Sequence, residues 1–149
     1  MPKFINESIR ESLDEITEMD VIIPNDHEML INGTVYIAPS ELQCELINNQ
    51  RIRLYEGEKV HHVSPSVDIA MLSARSSPSH LFTGIILTGM GNDGAEGIVH
   101  IKKIGGTTIA QNEETSIIFG MPKEAIDSGM VDFVLSPESI RNKLIQLFG

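Results

Sequence analysis

The run LTGMGNDGAEG, residues 87–97, sets one carboxylate, Asp93, among glycines where an apolar stretch gives way to a helical pattern. In open α/β sheets the carboxyl end of a strand is where ligands bind. Read by spacing alone, Gly89, Gly91 and Gly94 form G-x-G-x-x-G, and Glu113 follows at about the 20-residue distance expected of a ribose-binding acid. That is the pattern of a dinucleotide-binding turn. Charge opposes it, because Asp93 would place a carboxylate where a pyrophosphate must approach the helix N-terminus. Read as local structure, Asp93 and Glu96 form a capping box with Asp in place of Ser or Thr. Such a cap stabilises a helix by roughly 0.5–2 kcal/mol.

Other reactive side chains are dispersed. His61 and His62 invite a metal ion, but neighbouring strand residues point to opposite faces and no third ligand stands at suitable spacing, so no metal site is expected. His27 and His80 fall in loops. His100 follows Asp93 on one predicted helix, about 10 Å further along its axis, beyond direct hydrogen bonding. No serine stands in a G-x-S-x-G elbow. The single cysteine, Cys44, has no partner for a disulfide or a thiolate metal site.

The elements that must position these groups fall into two grammars. Phe4, Ile5, Ile9, Leu13 and Ile16 recur at helical spacing and predict an amphipathic helix over residues 4–18. Between Val21 and Glu56 short β-rich runs alternate with Asn32-Gly33 and Asn48-Asn49, which predicts an antiparallel meander with a hairpin at Asn32-Gly33. Ser64-Pro65 then reads as an N-cap and first helical residue of a helix to about Ser76. The stretch from Ser73 to His80 is the loosest of the chain, and no domain boundary is drawn there.

From Phe82 onward apolar strands alternate with helical patterns. TGIILTG, TTIAQ and VDFVL read as strands, and Asp93–Ile104, Pro122–Ser128 and a last segment opened by Ser136-Pro137 read as helices. The fold class is α/β, a parallel doubly wound, Rossmann-like sheet with an antiparallel β-meander insertion.

The chain of 149 residues, 41% hydrophobic and 21% charged, reads as a single globular domain over 1–149. Eleven basic against twenty-one acidic residues give a net charge of −10, which repels nucleic acid and anionic membranes. The apolar stretches are too short for a membrane span, and the start has neither a basic nor an apolar leader region, so no membrane insertion and a cytoplasmic location are expected.

LTGMGNDGAEG followed by TIAQNEETSIIFGMPKEAI resembles the C-terminal half of the catalytic domain of chemotaxis protein-glutamate methylesterases, the CheB family. The likeness continues upstream through PSVD at 65–68 and VYIAP at 35–39 to MPKFINESIRESL at the start. The resemblance implies hydrolysis of γ-methyl glutamate esters on chemoreceptor cytoplasmic domains, and deamidation of certain receptor glutamines, by a Ser-His-Asp triad without cofactor or metal. On this likeness Asp93 falls on the triad aspartate, which orients the histidine and stabilises its imidazolium. Met90 falls on the methionine whose backbone N–H helps form the oxyanion hole, a donor worth about 2.7–4 kcal/mol in the transition state. Gly89, Gly91 and Gly94 then let the backbone approach the reacting carbonyl.

The same likeness sets Met1-Pro2 on the pair that follows the family's catalytic histidine. The family's first strands, its nucleophilic serine and that histidine are therefore expected to be missing from residues 1–149, as is a receiver domain. The isolated chain is expected to be inactive, the alternative being a non-catalytic interaction domain of a chemosensory system. Two further departures touch the substrate side: Ser40-Glu41-Leu42-Gln43 and Val63 stand where relatives carry histidines. Without the first strands the TGIILTG strand has an open edge, which predicts a homo-oligomer.

Overall fold

A computed structural model describes residues 3–149. The chain divides into two compact units, residues 1–74 and 75–149. The fold class is α/β, with parallel pairs in both units and one antiparallel pair.

The first unit opens with α1 (Lys3–Asp14), which ends earlier than its apolar spacing predicts. Its last turn carries no basic residue, and Asp14 and Glu15 put negative charge at the negative end of the helix dipole. The buried stripe is narrower too, since Phe4 and Ile16 are 75% and 80% exposed. The buried residue of this helix is Asn6, whose Oδ1 accepts a hydrogen bond of 2.9 Å from the Ser40 hydroxyl.

The expected meander is replaced by two separate pairs. β1 (Asp20–Ile22) pairs parallel with β2 (Thr34–Tyr36), so Asn32-Gly33 is no hairpin turn. A type I′ turn needs positive φ at both central residues, and only Gly33 has it. The MLI run, residues 29–31, forms no strand: Met29 makes an isolated bridge to Arg51, and the N–H of Ile31 donates to the Tyr36 hydroxyl at 2.7 Å. β3 (Gln43–Ile47) and β4 (Arg51–Tyr55) form the antiparallel hairpin, turning through Asn48 and Asn49 at φ 51° and 58°.

α2 (Val67–Leu72) starts two residues later than predicted: its N-cap is Ser66, whose hydroxyl accepts from the N–H of Ile69, and Ser64-Pro65 lies ahead of the helix as a cis peptide. It stops at Ser73, whose hydroxyl donates to the Ala70 carbonyl and accepts from the N–H of Leu46, tying the helix end to β3.

The second unit follows the predicted alternation. β5 (Thr83–Ile86), β6 (Thr107–Gln111) and β7 (Phe133–Leu135) form a parallel sheet in that order. α3 (Ala95–Lys103) and α4 (Gly120–Asp127) pack on each other and on β5 and β6, and α5 (Pro137–Phe148) packs on β6 and β7. Ile86, Ile98, Ile101, Ile109 and Ile140 form the core, each fully buried isoleucine contributing about 1.5–3 kcal/mol. Ser136 caps α5 with Pro137 in its first turn, as predicted. No helix among the described residues is long and apolar enough to cross a membrane.

Candidate active site

β5 ends at Ile86, and the loop from Leu87 to Gly94 carries both predicted site residues. Two hydrogen-bonding systems hold its first half. Thr88 donates its N–H to Gln111 Oε1 at 2.8 Å. The Thr88 hydroxyl donates to the Ile118 carbonyl at 3.0 Å and accepts from the N–H of Ile118 at 2.9 Å. The N–H of Gly89 also donates to the Ile118 carbonyl, at 3.0 Å, and the Gly89 carbonyl accepts from the N–H of Met121 at 2.9 Å. Beyond the end of β5 the backbone therefore stays paired, now to the segment leading into α4.

Released from that pairing, the loop turns sharply. Gly91 and Gly94 have φ of 102° and 100°, which side-chain-bearing residues rarely adopt. Met90 stands between Gly89 and Gly91 with its side chain 82% exposed. Its backbone N–H makes no hydrogen bond among the described residues, so it stays available to a ligand oxygen.

Asp93 is 6% exposed, just ahead of α3. The predicted capping box is not formed, because the N-cap is Gly94. Left-handed Gly94 delays the helix to Ala95, which makes Glu96 its second residue instead of its third. The dinucleotide reading meets a buried carboxylate beside the helix N-terminus, where phosphate charge would have to sit.

His61 and His62 are not on a strand. Both adopt positive φ, 50° and 65°, in the turn between Val60 and Val63, so the expected strand alternation does not apply. His61 Nε2 lies 3.1 Å from Oδ2 of Asp68, which is buried at the start of α2. His27 lies 3.0 Å from Asp26 Oδ2, and His80 bonds to Ser77 and Ser79. Met1-Pro2 lies outside the described residues. Of the substrate-side departures, Ser40 and Gln43 are buried hydrogen-bonding residues, whereas Val63 is exposed.

Sequence reasoning passed over three residues that shape this loop: Thr88, Gln111 and Gly120. Gln111 carried a readable signal, an amide ending a strand otherwise built of small and apolar residues. Gly120 carried none, because its neighbours lie far away in sequence.

Residues 1–144 match the CheB methylesterase family. Among curated relatives, the protein-glutamate methylesterase/protein-glutamine glutaminase of Pyrococcus horikoshii is 40% identical over 98% of this chain and 40% of its own length. The protein of the same name from Yersinia pestis is 36% identical over 97% of this chain and 42% of its own length. The chain thus spans about 40% of the length of these relatives. The crystal structure of the Thermotoga maritima CheB methylesterase catalytic domain superposes with a TM-score of 0.88 at 37% identity, covering 99% of this chain and 79% of that one. With a family match over nearly its whole length and a shared fold, the chain belongs to the CheB methylesterase family.

Proposed function

We propose that this chain supplies the acid and oxyanion side of a protein-glutamate methylesterase and glutaminase acting on chemoreceptor cytoplasmic segments. The observation that carries the reading is the Leu87–Gly94 loop, where a buried Asp93 and an unengaged Met90 N–H share one glycine-hinged turn in a chain of this family. In the reaction, a serine attacks the side-chain ester or amide carbonyl of the receptor residue. The carbonyl oxygen becomes an oxyanion that the Met90 N–H stabilises, while Asp93 orients the histidine that takes the serine proton and carries charge. That histidine returns the proton to the leaving methanol or ammonia, and water then hydrolyses the acyl-enzyme. No step requires a metal or a cofactor.

Methanol release from methylated receptor segments tests this. Residues 1–149 produced alone are expected to give none, since they offer no serine elbow. The same residues joined to a segment that brings a serine and a histidine are expected to turn over, and to lose that turnover with Asp93→Ala. Turnover by residues 1–149 alone, or turnover indifferent to Asp93→Ala, would sink the assignment. Receptor binding without hydrolysis in both proteins would favour the interaction-domain reading, in which the surface docks on receptors and the loop does no chemistry.

A further inference from the structure

We propose that Gln111 is a positioning residue for the oxyanion-forming loop, an inference that rests on reading Met90 as the donor. Gln111 is the last residue of β6 and is 4% exposed. Its Oε1 accepts the Thr88 N–H at 2.8 Å, and its Nε2 donates to the Thr115 carbonyl at 2.9 Å and the Thr115 hydroxyl at 3.2 Å. The orientation of the amide is dictated by its partners, because a backbone N–H only donates and a backbone carbonyl only accepts. One planar group therefore ties together two loops, the one carrying Met90 and the one running from Asn112 to Ile118.

A structural role alone leaves this residue type unexplained. Thr108, Ile109 and Ala110 beside it are 0% exposed, so a leucine would fill the position at no desolvation cost. An amide there is tolerated because its bonds are made, and those bonds go to the loops that frame the site and not to the sheet. Thr115 is itself anchored: its N–H and hydroxyl both donate to Asn112 Oδ1, and the Ser116 hydroxyl donates to the Asn112 carbonyl. The 112–116 turn is thus a built support, and Gln111 transmits its position to Thr88. From Thr88 the restraint passes to Gly89 and Met90 through the shared pairing with Ile118. An oxyanion donor works only if it is already aimed when charge develops, so slackening this tie should act on kcat more than on KM.

Two variants test it in residues 1–149 joined to a segment that brings a serine and a histidine, the protein expected to turn over. Gln111→Leu keeps the volume and removes all three bonds. It is expected to lower kcat about 10- to 100-fold with KM within about twofold of wild type, the scale of a misplaced catalytic group. Amide exchange at Thr88 and Gly89 is expected to speed up. Gln111→Glu keeps the shape and the Thr88 bond, but its carboxylate cannot donate to Thr115. Protonation restores that donor, so the ratio of its kcat to wild type should rise as pH falls. A folded Gln111→Leu with kcat within about twofold of wild type and unchanged exchange would overturn the proposal. If the leucine variant does not fold, a pH-independent ratio for Gln111→Glu overturns it equally. Absence of turnover in wild type would defeat the methylesterase reading instead, and the exchange at Thr88 and Gly89 would then decide on Gln111 by itself.

Discussion

A β-carbon placed on Gly120 would stand 2.9 Å from the carbonyl oxygen of Gly89 and 3.1 Å from the nitrogen of Gly91. The first residue of α4 is therefore in contact with the backbone of the Leu87–Gly94 loop, and only a residue without a side chain allows it.

This contact makes opposite predictions for two glycines. Helix propensity favours alanine over glycine by about 1 kcal/mol, yet the β-carbon of Gly120→Ala is forced against the backbone of Gly89 and Gly91, at a cost of about 1–3 kcal/mol, and displaces the loop. At Gly89 the nearest atom to an added β-carbon is Met121 Sδ at 2.7 Å, the far end of a flexible side chain, and no backbone atom comes closer than 3.7 Å. Gly89→Ala is therefore expected to cost under about 1 kcal/mol, since a thioether repacks readily. Thermal denaturation and methanol release on both variants check the contrast, and equal effects at the two positions would contradict it.

Asp93→Asn is expected to leave the fold intact and lower turnover about 10⁴-fold, because an amide holds the histidine in the wrong tautomer. The loss should appear in kcat. A variant that keeps its rate would mean that the carboxylate merely fills space ahead of α3.

How far the sequence alone foreshadows the fold and the Leu87–Gly94 loop depends on the range of its signals. The second unit is written in local code: apolar strands, Gly105 after α3 and Ser136-Pro137 at the start of α5 each announce their element. The first unit is not. β1 and β2 are three residues each and pair in parallel across an intervening loop, a relation that no local pattern carries, and Asn32-Gly33 imitates a hairpin it does not form. Asp93 and Met90 are singled out by family resemblance, whereas Gln111 and Gly120 act on residues distant in sequence. A buried glutamine ending or opening a strand is the sign to look for. Gln43, at the start of β3 and 1% exposed, does the same service in the first unit, accepting from the Ser66 N–H and donating to the Glu58 carbonyl.

Acid should weaken the second unit at a definable place. Partial burial raises the Asp132 carboxyl, but the hydrogen bond from Lys102 at 2.7 Å and that from the N–H of Thr108 at 3.0 Å outweigh it and hold the group below its ordinary 3.8. A carboxyl depressed in the folded state stabilises above its unfolded pKa, and that contribution is lost as pH falls through the folded value. The Tm difference between wild type and Asp132→Asn should therefore be constant near neutrality and shrink below about pH 4. A difference that persists unchanged at pH 2 would show that the pair contributes through packing alone.

Cys44 is half-buried on β3, and burial, aided by the neighbouring Glu45 charge, pushes its thiol above the ordinary value. The thiolate is the reactive form, so Cys44 is expected to resist alkylation at pH 8 in the folded protein and to react on unfolding. Rapid labelling of the native chain would contradict both the burial and the direction of the shift.

β5 leaves one side without a strand neighbour among the described residues. It is an edge strand of the β5-β6-β7 sheet, bonded on its β6 side alone among the described residues. The devices that normally blunt such an edge are absent from Thr83–Ile86, which holds no charged residue and no proline. Leu81 and Leu87, flanking the strand, are 81% and 51% exposed. An apolar edge of this kind templates pairing, and a second copy is the partner always present at the same concentration. Residues 1–149 produced alone are therefore expected to self-associate, and light scattering at micromolar concentration should give at least a dimer. Replacing Leu81 and Leu87 together by lysine puts charge at both ends of the strand without entering the core, and should shift the population towards monomer. A wild-type chain that stays monomeric while folding cooperatively would mean that the edge is covered within the chain itself.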